Sequence, residues 1–200
     1  MRRKLAAQSP ALDNSLLVLL VAAAAAMLLA LLTLAPADAS RAAILAAGRP
    51  TLTLEAADTM ANAAINEART RGFKDISVHV LDATGRTVVS KCMLGCPSLP
   101  HKLAHAKAML CVSTHSSSRA VKDKYVPERT PQLLAMTIVG TDCATPIAAV
   151  PGGVLCRADG VVVGAVGVSG ASADEDEHCA LAAAHAVSLA TEPAESALPG

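Results

Sequence analysis

Residues 152–180 read GGVLCRADGVVVGAVGVSGASADEDEHCA, and this one run holds a strand, a turn, a second strand and the start of a helix. Val154 to Arg157 and Val161 to Val168 are short apolar stretches on either side of Ala158-Asp159-Gly160. An Asp-Gly pair between two such stretches is the residue choice a tight β-hairpin demands, because the turn requires positive φ. Ser169-Gly170 then breaks the strand. Ser172 and Glu175 have the spacing of a capping box, and Asp174, Asp176 and Glu177 add negative charge to the first turn, where the helix dipole favours it. The helix this predicts continues to about Leu189, and a Pro/Glu/Ser tail frays beyond Thr191.

Upstream, the same reasoning gives a helix opened by Thr53. Glu55 and Asp58 lie in its early turns, Leu54, Ala57, Met60, Ala61, Ala64, Ile65 and Ala68 recur at helical spacing, and Gly72 closes it. Ile76, Val78 and Val80 alternate with Ser77, His79 and Leu81. The chain turns at Asp82-Ala83-Thr84-Gly85 and returns as Thr87 to Val89. Cys92 to Pro100 is irregular, broken by Gly95, Pro97 and Pro100. A helix from about His101 to Cys111, a short helix over Ser116–Tyr125, a strand over Leu133–Val139 and a connection over Cys143–Val150 complete the domain. Helix, hairpin, helices, further antiparallel strands and helix is an α+β order and not a βαβ alternation. It predicts an antiparallel sheet of about five strands flanked by helices.

The N-terminal end is of a different kind. Leu16 to Ala35 is apolar, with no charge between Asp13 and Asp38. About 20 apolar residues in a helix match the ~30 Å hydrocarbon thickness of a bilayer. Arg2, Arg3 and Lys4 precede it, which keeps the start of the chain on the cytoplasmic side. The small-x-small site Ala37-Asp38-Ala39 also suits cleavage of a secretory signal. The organisation expected is a basic segment at 1–14, a hydrophobic helix at 15–36 that is a transmembrane signal anchor or a signal peptide, a linker at 37–51, a domain at 52–190 and a tail at 191–200. The domain is then a non-cytoplasmic one, membrane-bound by a single pass or in the secretory pathway. The six cysteines all follow the apolar segment, where either disulfides or buried free thiols are compatible with export.

Composition excludes some functions. Lys plus Arg and Asp plus Glu are 17 each, and Phe73 and Tyr125 are the only aromatic residues besides histidine. With neither a basic surface nor stacking platforms, no nucleic-acid partner is expected. No nucleophile elbow, phosphate-binding loop or H-E-x-x-H pattern occurs, so no catalytic residue is assigned.

Two stretches resemble the GlcG/HbpS family and the C-terminal domain of PduO-type proteins. One is VHVLDATGR at 78–86 followed by MLGCPSLPHKLAHAKA at 93–108, which is similar to the family's V-x-D-x-x-G hairpin and its helix ending in A-x-x-K-A. The other is the 152–180 run, similar to the closing G-G hairpin, the G-A-x-G-V-S-G-A strand end and the D-E-x-x-A helix start. The resemblance implies a three-layer α/β/α domain that tends to form homo-oligomers and binds haem or another small molecule in some members. Where the family has Arg, Asp and Ser after the first hairpin, this chain has Cys92, Leu94 and Pro100, so two charges are missing near the implied ligand site.

The candidate ligand-binding residues are His101, His105, Lys107, Gly167, Ser169, Gly170 and Ala171. His101 and His105 are four apart, on one helix face, where they can chelate a metal ion or offer an axial haem ligand, or simply face solvent. Lys107 matches the family's motif and is otherwise a surface lysine. Gly167 and Gly170 let the backbone approach closely, so that Ser169 to Ala171, at a helix N-terminus, can cradle a carboxylate; the same glycines also suit a tight turn that needs them for steric reasons alone. His178 and His185 share a face two turns apart and are read as packing or solvent-facing.

Overall fold

The computed structural model describes residues 51–198. The first helix, α1 (Leu54–Arg71), begins where the Thr53 side chain accepts a hydrogen bond from Ala56 N and ends at Gly72, whose φ of +68° is the left-handed conformation that lets the chain leave a helix. The hairpin β1 (Ser77–Asp82) and β2 (Thr87–Cys92) follows, then α2 (Ser98–Thr114), α3 (Ser118–Tyr125) and α4 (Thr130–Asp142). The second hairpin is β3 (Gly153–Ala158) and β4 (Val161–Ser169), and α5 (Ala173–His185) and β5 (Ala190–Glu192) complete the domain. The strands form one antiparallel sheet in the order β2-β1-β4-β3-β5.

The sheet is covered on both faces. Ile76, Val78, Val80, Val154, Val166 and Val168 point to α1 and α5, whose Ala57, Ala61, Ala64, Ala180, Ala183 and Ala184 let the helices lie close to the strands. Leu81, Leu155 and Ala165 point the other way, onto Ala108, Cys111 and Val112 of α2. This is the three-layer arrangement expected, in an almost purely aliphatic core.

Four segments differ from the sequence reading. Leu133–Val139, expected as a strand, lies inside α4. Pro131 in the first turn presets helical φ, and Thr137 and Thr141 give their hydroxyl protons to the Leu133 and Thr137 carbonyl oxygens one turn earlier, so the helix satisfies its polar groups internally. The fifth strand comes instead from the tail expected to fray beyond Thr191. Ala190–Glu192 pairs with β3, and the Glu192 carboxylate accepts from Ser116 Oγ at 2.8 Å and Ser117 N at 3.0 Å. The helix expected to reach Leu189 ends at His185, and the one expected over His101–Cys111 is longer by about a turn at each end.

The expected hydrophobic helix at 15–36, with residues 1–14 and the linker up to residue 50, lies outside the described residues. Among the described residues no helix is long and apolar enough to cross a membrane.

Candidate functional site

The side of the sheet facing α2 is built in cross-strand rows. Cys92, Ser77 and Ser169 form one row; Ser90, His79, Gly167 and Gly153 form the next; Leu81, Ala165 and Leu155 form an apolar third. The second row decides how α2 sits. A Cβ on Gly167 would stand 2.0 Å from the Ala104 carbonyl oxygen, and one on Gly153 would stand 2.6 Å from the Lys107 carbonyl oxygen. Only glycine lets the helix backbone lie directly on these strands. The low seat brings His101 and His105 down to His79, which rises from the sheet beside the glycines.

Three imidazoles meet there. The His79 ring centroid is 4.5 Å from that of His101 and 5.3 Å from that of His105. With Lys102 and Pro146 they line a pocket of about 340 Å³, at the small end of the ~300–1,000 Å³ usual for ligand sites. The Ser77 hydroxyl lies 3.2 Å from the Lys91 carbonyl oxygen and 2.8 Å from His101 Nδ1. A carbonyl only accepts, so the hydroxyl proton goes to Lys91 and the Ser77 oxygen accepts from His101. In the neutral ring this places the His101 proton on Nδ1 and the lone pair on Nε2. His79 Nε2 lies 3.2 Å from Ser90 Oγ and 3.3 Å from His101 Nδ1, while His79 Nδ1 is buried without a partner.

Burial decides the protonation of this group. His79 is 6% exposed; desolvation, then the neighbouring His101 and His105, hold its pKa down at about 4. His105 is shifted downward by burial and by His101. Both are therefore neutral at pH 7, the form in which an imidazole ligates a metal. This donor set fits a haem iron: His101, tethered at Nδ1, and the half-buried His105 are the residues that would hold it, and the exposed Lys102 lines the same pocket. Among the described residues no group of three or more His, Cys, Asp or Glu side chains is arranged to hold a metal ion by itself.

The other residues singled out in the sequence lie elsewhere. Lys107 is 2% exposed; its Nζ donates to the Val168 carbonyl oxygen at 2.9 Å and to Asp176 Oδ2 at 2.7 Å. It is a buried clamp between α2, β4 and α5 and lines no part of the histidine pocket. Burial raises the Asp176 carboxyl to about 6 against the pull of Lys107 and lowers the lysine. At 2.7 Å, with the Val168 carbonyl oxygen and the Ala171 N–H as further partners, the charged pair is the form the geometry supports. The turn read as an anion cradle is filled from within. Ala171 N donates to Asp176 Oδ1 at 3.0 Å, and Gly170, at φ +145°, packs where a Cβ would stand 2.3 Å from the Asp75 carbonyl oxygen. Ser169 is buried at the end of β4. Asp174 and Glu177, in the same helix start, hold Arg119, whose Nε is 2.9 Å from both Glu177 oxygens.

His178 bridges Glu67 (2.9 Å) and Ser196 (3.1 Å) beside a second pocket of about 480 Å³. Ser196 Oγ also accepts from Leu198 N at 3.1 Å, so this chain of contacts fastens the tail to α1 and α5. The cysteines are free thiols, with Cys111, Cys156 and Cys179 buried. His79 is the site residue that no sequence motif marks. Its signal was present in the alternation of β1, which puts Ser77 and His79 on the same side as Leu81 and so on a covered face.

Comparison with known proteins gives one consistent answer. A family model described as "Haem degrading protein HbpS-like" matches residues 52–185. Among solved structures, HbpS is 32% identical with a TM-score of 0.56, covering 68% of this chain and 89% of that one. A double mutant of Streptomyces reticuli HbpS is 31% identical with a TM-score of 0.56, covering 68% and 86%. The PduOC:heme complex has the same fold, with a TM-score of 0.62 at 22% identity over 71% of this chain and 99% of that one. No curated protein matches the chain.

Proposed function

Starting from the fact that this chain belongs to the HbpS-like family, we propose that its folded domain is a small-ligand-binding or sensing module whose ligand is haem, bound at the pocket of His79, His101 and His105. The observation that carries this reading is the convergence of three imidazoles from two elements on one pocket, two of them kept neutral by burial. The iron supplies redox and ligand chemistry when bound. The protein supplies an imidazole of fixed tautomer through the Ser77 hydroxyl, and Lys102 is a cation at the mouth in place of the charges this chain lacks at Cys92 and Leu94. The apolar residues 15–36 hold the module at a membrane or direct it into the secretory pathway.

The test is a haemin titration of the full-length chain followed by absorbance. A saturable Soret shift with half-saturation at roughly micromolar haemin, or about −8 kcal/mol, is expected. His101→Ala or His105→Ala should weaken it at least tenfold. No saturable shift, or a shift indifferent to both substitutions, overturns the reading.

A second reading, self-association as a homo-oligomer, is favoured by α4. None of its residues is buried, and Leu134, Ile138 and Val139 are 60%, 54% and 61% exposed. A helix this apolar is ordinarily covered. Sedimentation should show an oligomer that Leu134→Asp with Ile138→Asp dissociates; a wild-type monomer across micromolar concentrations removes this reading and leaves the haem proposal standing.

A further inference from the structure

Cys92 closes β2, and the chain turns at once. Cys96 N donates to the Met93 carbonyl oxygen at 3.0 Å, closing a turn over 93–96, and Gly95 N donates to Asp75 Oδ2 at 2.7 Å, fastening that turn to the strand approach. The two cysteines are thereby held on either side of a short, tethered turn. The turn brings the backbone of Cys96 back over Cys92, whose thiol lies 4.0 Å from the Cys96 carbonyl oxygen. Cys92 is exposed and Cys96 partly so, whereas Cys111, Cys156 and Cys179 are buried. No ladder or core contact needs either thiol. Cys92 bonds only to nearby carbonyl oxygens, and Cys96 makes long contacts to the carbonyl oxygens of Pro97 (3.7 Å) and Ser169 (3.9 Å).

Their place in the sheet gives the pair a consequence. Cys92 and Ser169 flank Ser77 across the strands, and Ser77 is the residue that orients His101. Five residues past the turn, α2 carries His101 itself.

We propose that Cys92 and Cys96 are a thiol–disulfide switch, closing to an intramolecular disulfide by exchange with a small-molecule disulfide. The exposed Cys92, as thiolate, attacks one sulfur of the incoming disulfide. The old S–S bond breaks, a mixed disulfide forms on Cys92, and the released thiolate takes up a proton from water. Cys96 then gives its proton to solvent base and attacks the Cys92 sulfur; the Cys92–Cys96 bond forms and the second small thiol leaves. Two protein thiols are oxidised, and one disulfide is reduced to two thiols. Burial, with Cys92 beside it, raises the Cys96 thiol to about 11, which suits the resolving role and not the attacking one, since the thiolate is the nucleophile. Closure withdraws the Cys96 thiol from the Ser169 carbonyl oxygen and ties the end of β2 to the segment leading into α2.

The experiment uses the reduced full-length chain equilibrated in glutathione buffers of graded potential, with remaining thiols trapped by iodoacetamide and the peptides mapped by mass. Cys92 and Cys96 should lose alkylation together at one midpoint, in a linked peptide lighter by two hydrogens. Cys96→Ser should instead keep glutathione on Cys92, and Cys143→Ser should leave the midpoint unchanged. The proposal is overturned if wild type retains glutathione on Cys92 to the same extent as Cys96→Ser, if Cys92 pairs with Cys143, or if Cys143 reacts across a range in which the pair stays reduced. Haem takes no part in this measurement, so its outcome is independent of the histidine pocket.

Discussion

The two ends of the contact between α2 and the sheet bury polar groups in opposite ways. At one end Lys107 and Asp176 are buried as charges, with two partners on the ammonium and one on each carboxylate oxygen: Val168 O and Asp176 on the lysine, Lys107 and Ala171 N on the carboxylate. At the other end His79 is buried as a neutral ring with Nδ1 unpartnered, next to a cavity. A buried charge with its partners in place is a fastening, because its alternatives are all worse. A buried neutral donor with spare capacity beside a pocket is where a ligand adds something. The family motif points to the lysine; the geometry points to the histidines two and six residues before it, and to His79 on β1.

The largest effect that can break this comparison is at the clamp. Lys107→Met removes one charge and leaves Asp176 buried without its counter-ion, which should cost about 3–5 kcal/mol in urea unfolding while sparing the haem Soret shift of the molecules that remain folded. A loss of less than about 1 kcal/mol, or a selective loss of haem affinity in a stable protein, would mean that the lysine belongs to the site after all. His105→Ala is the mirror experiment. On a half-buried helix position it should change stability little, within about 1 kcal/mol, and take its effect on the ligand.

The same contrast explains what was legible in the sequence. Asp159-Gly160, the Ser172/Glu175 box, Thr53 and Gly72 act within a few residues of themselves, and each forms the local structure its chemistry dictates. Spacing of four on a helix was enough to put His101 and His105 on one face. What failed was long-range. Leu133–Val139 contains the β-branched Thr137, Ile138 and Val139, and its apolar character was read as a strand although Pro131 marked a helix start. Ala190–Glu192 is a strand because Ser116 and Ser117 hold Glu192 from across the molecule, and nothing within three residues announces that. The Gly167 and Gly170 signal was real, but it answered to the close approach of Ala104 and Asp75, a need of packing that looks the same in sequence as a need for an anion. Lys107 could not be told from a surface lysine until Asp176 stood opposite it.

The smallest effect sharpens the other side of the comparison, through pH. The folded pKa of His79, about 4, lies below its ordinary 6.5, so the folded state resists a proton that the unfolded chain accepts. Above pH 6.5 the histidine has no effect on stability. As pH falls from 6.5 toward 4 the unfolded state gains protons that the folded state does not, and stability is lost; below 4 both states are protonated and the loss levels off. Between pH 7 and pH 5 the loss attributable to His79 should be on the order of 1–2 kcal/mol. Asp176, raised by burial to about 6, titrates in the same window with the opposite sign, because there the folded state holds the extra proton. The wild-type curve therefore mixes the two ends of α2, and the comparison must be made by difference. Urea unfolding of wild type and His79→Gln at pH 7, 6 and 5 should show the gap between them moving in the variant's favour as pH falls. A gap that stays constant would mean that His79 takes up its proton in the folded state as readily as in the unfolded one, and the case for a neutral imidazole cluster poised for a ligand would fail with it.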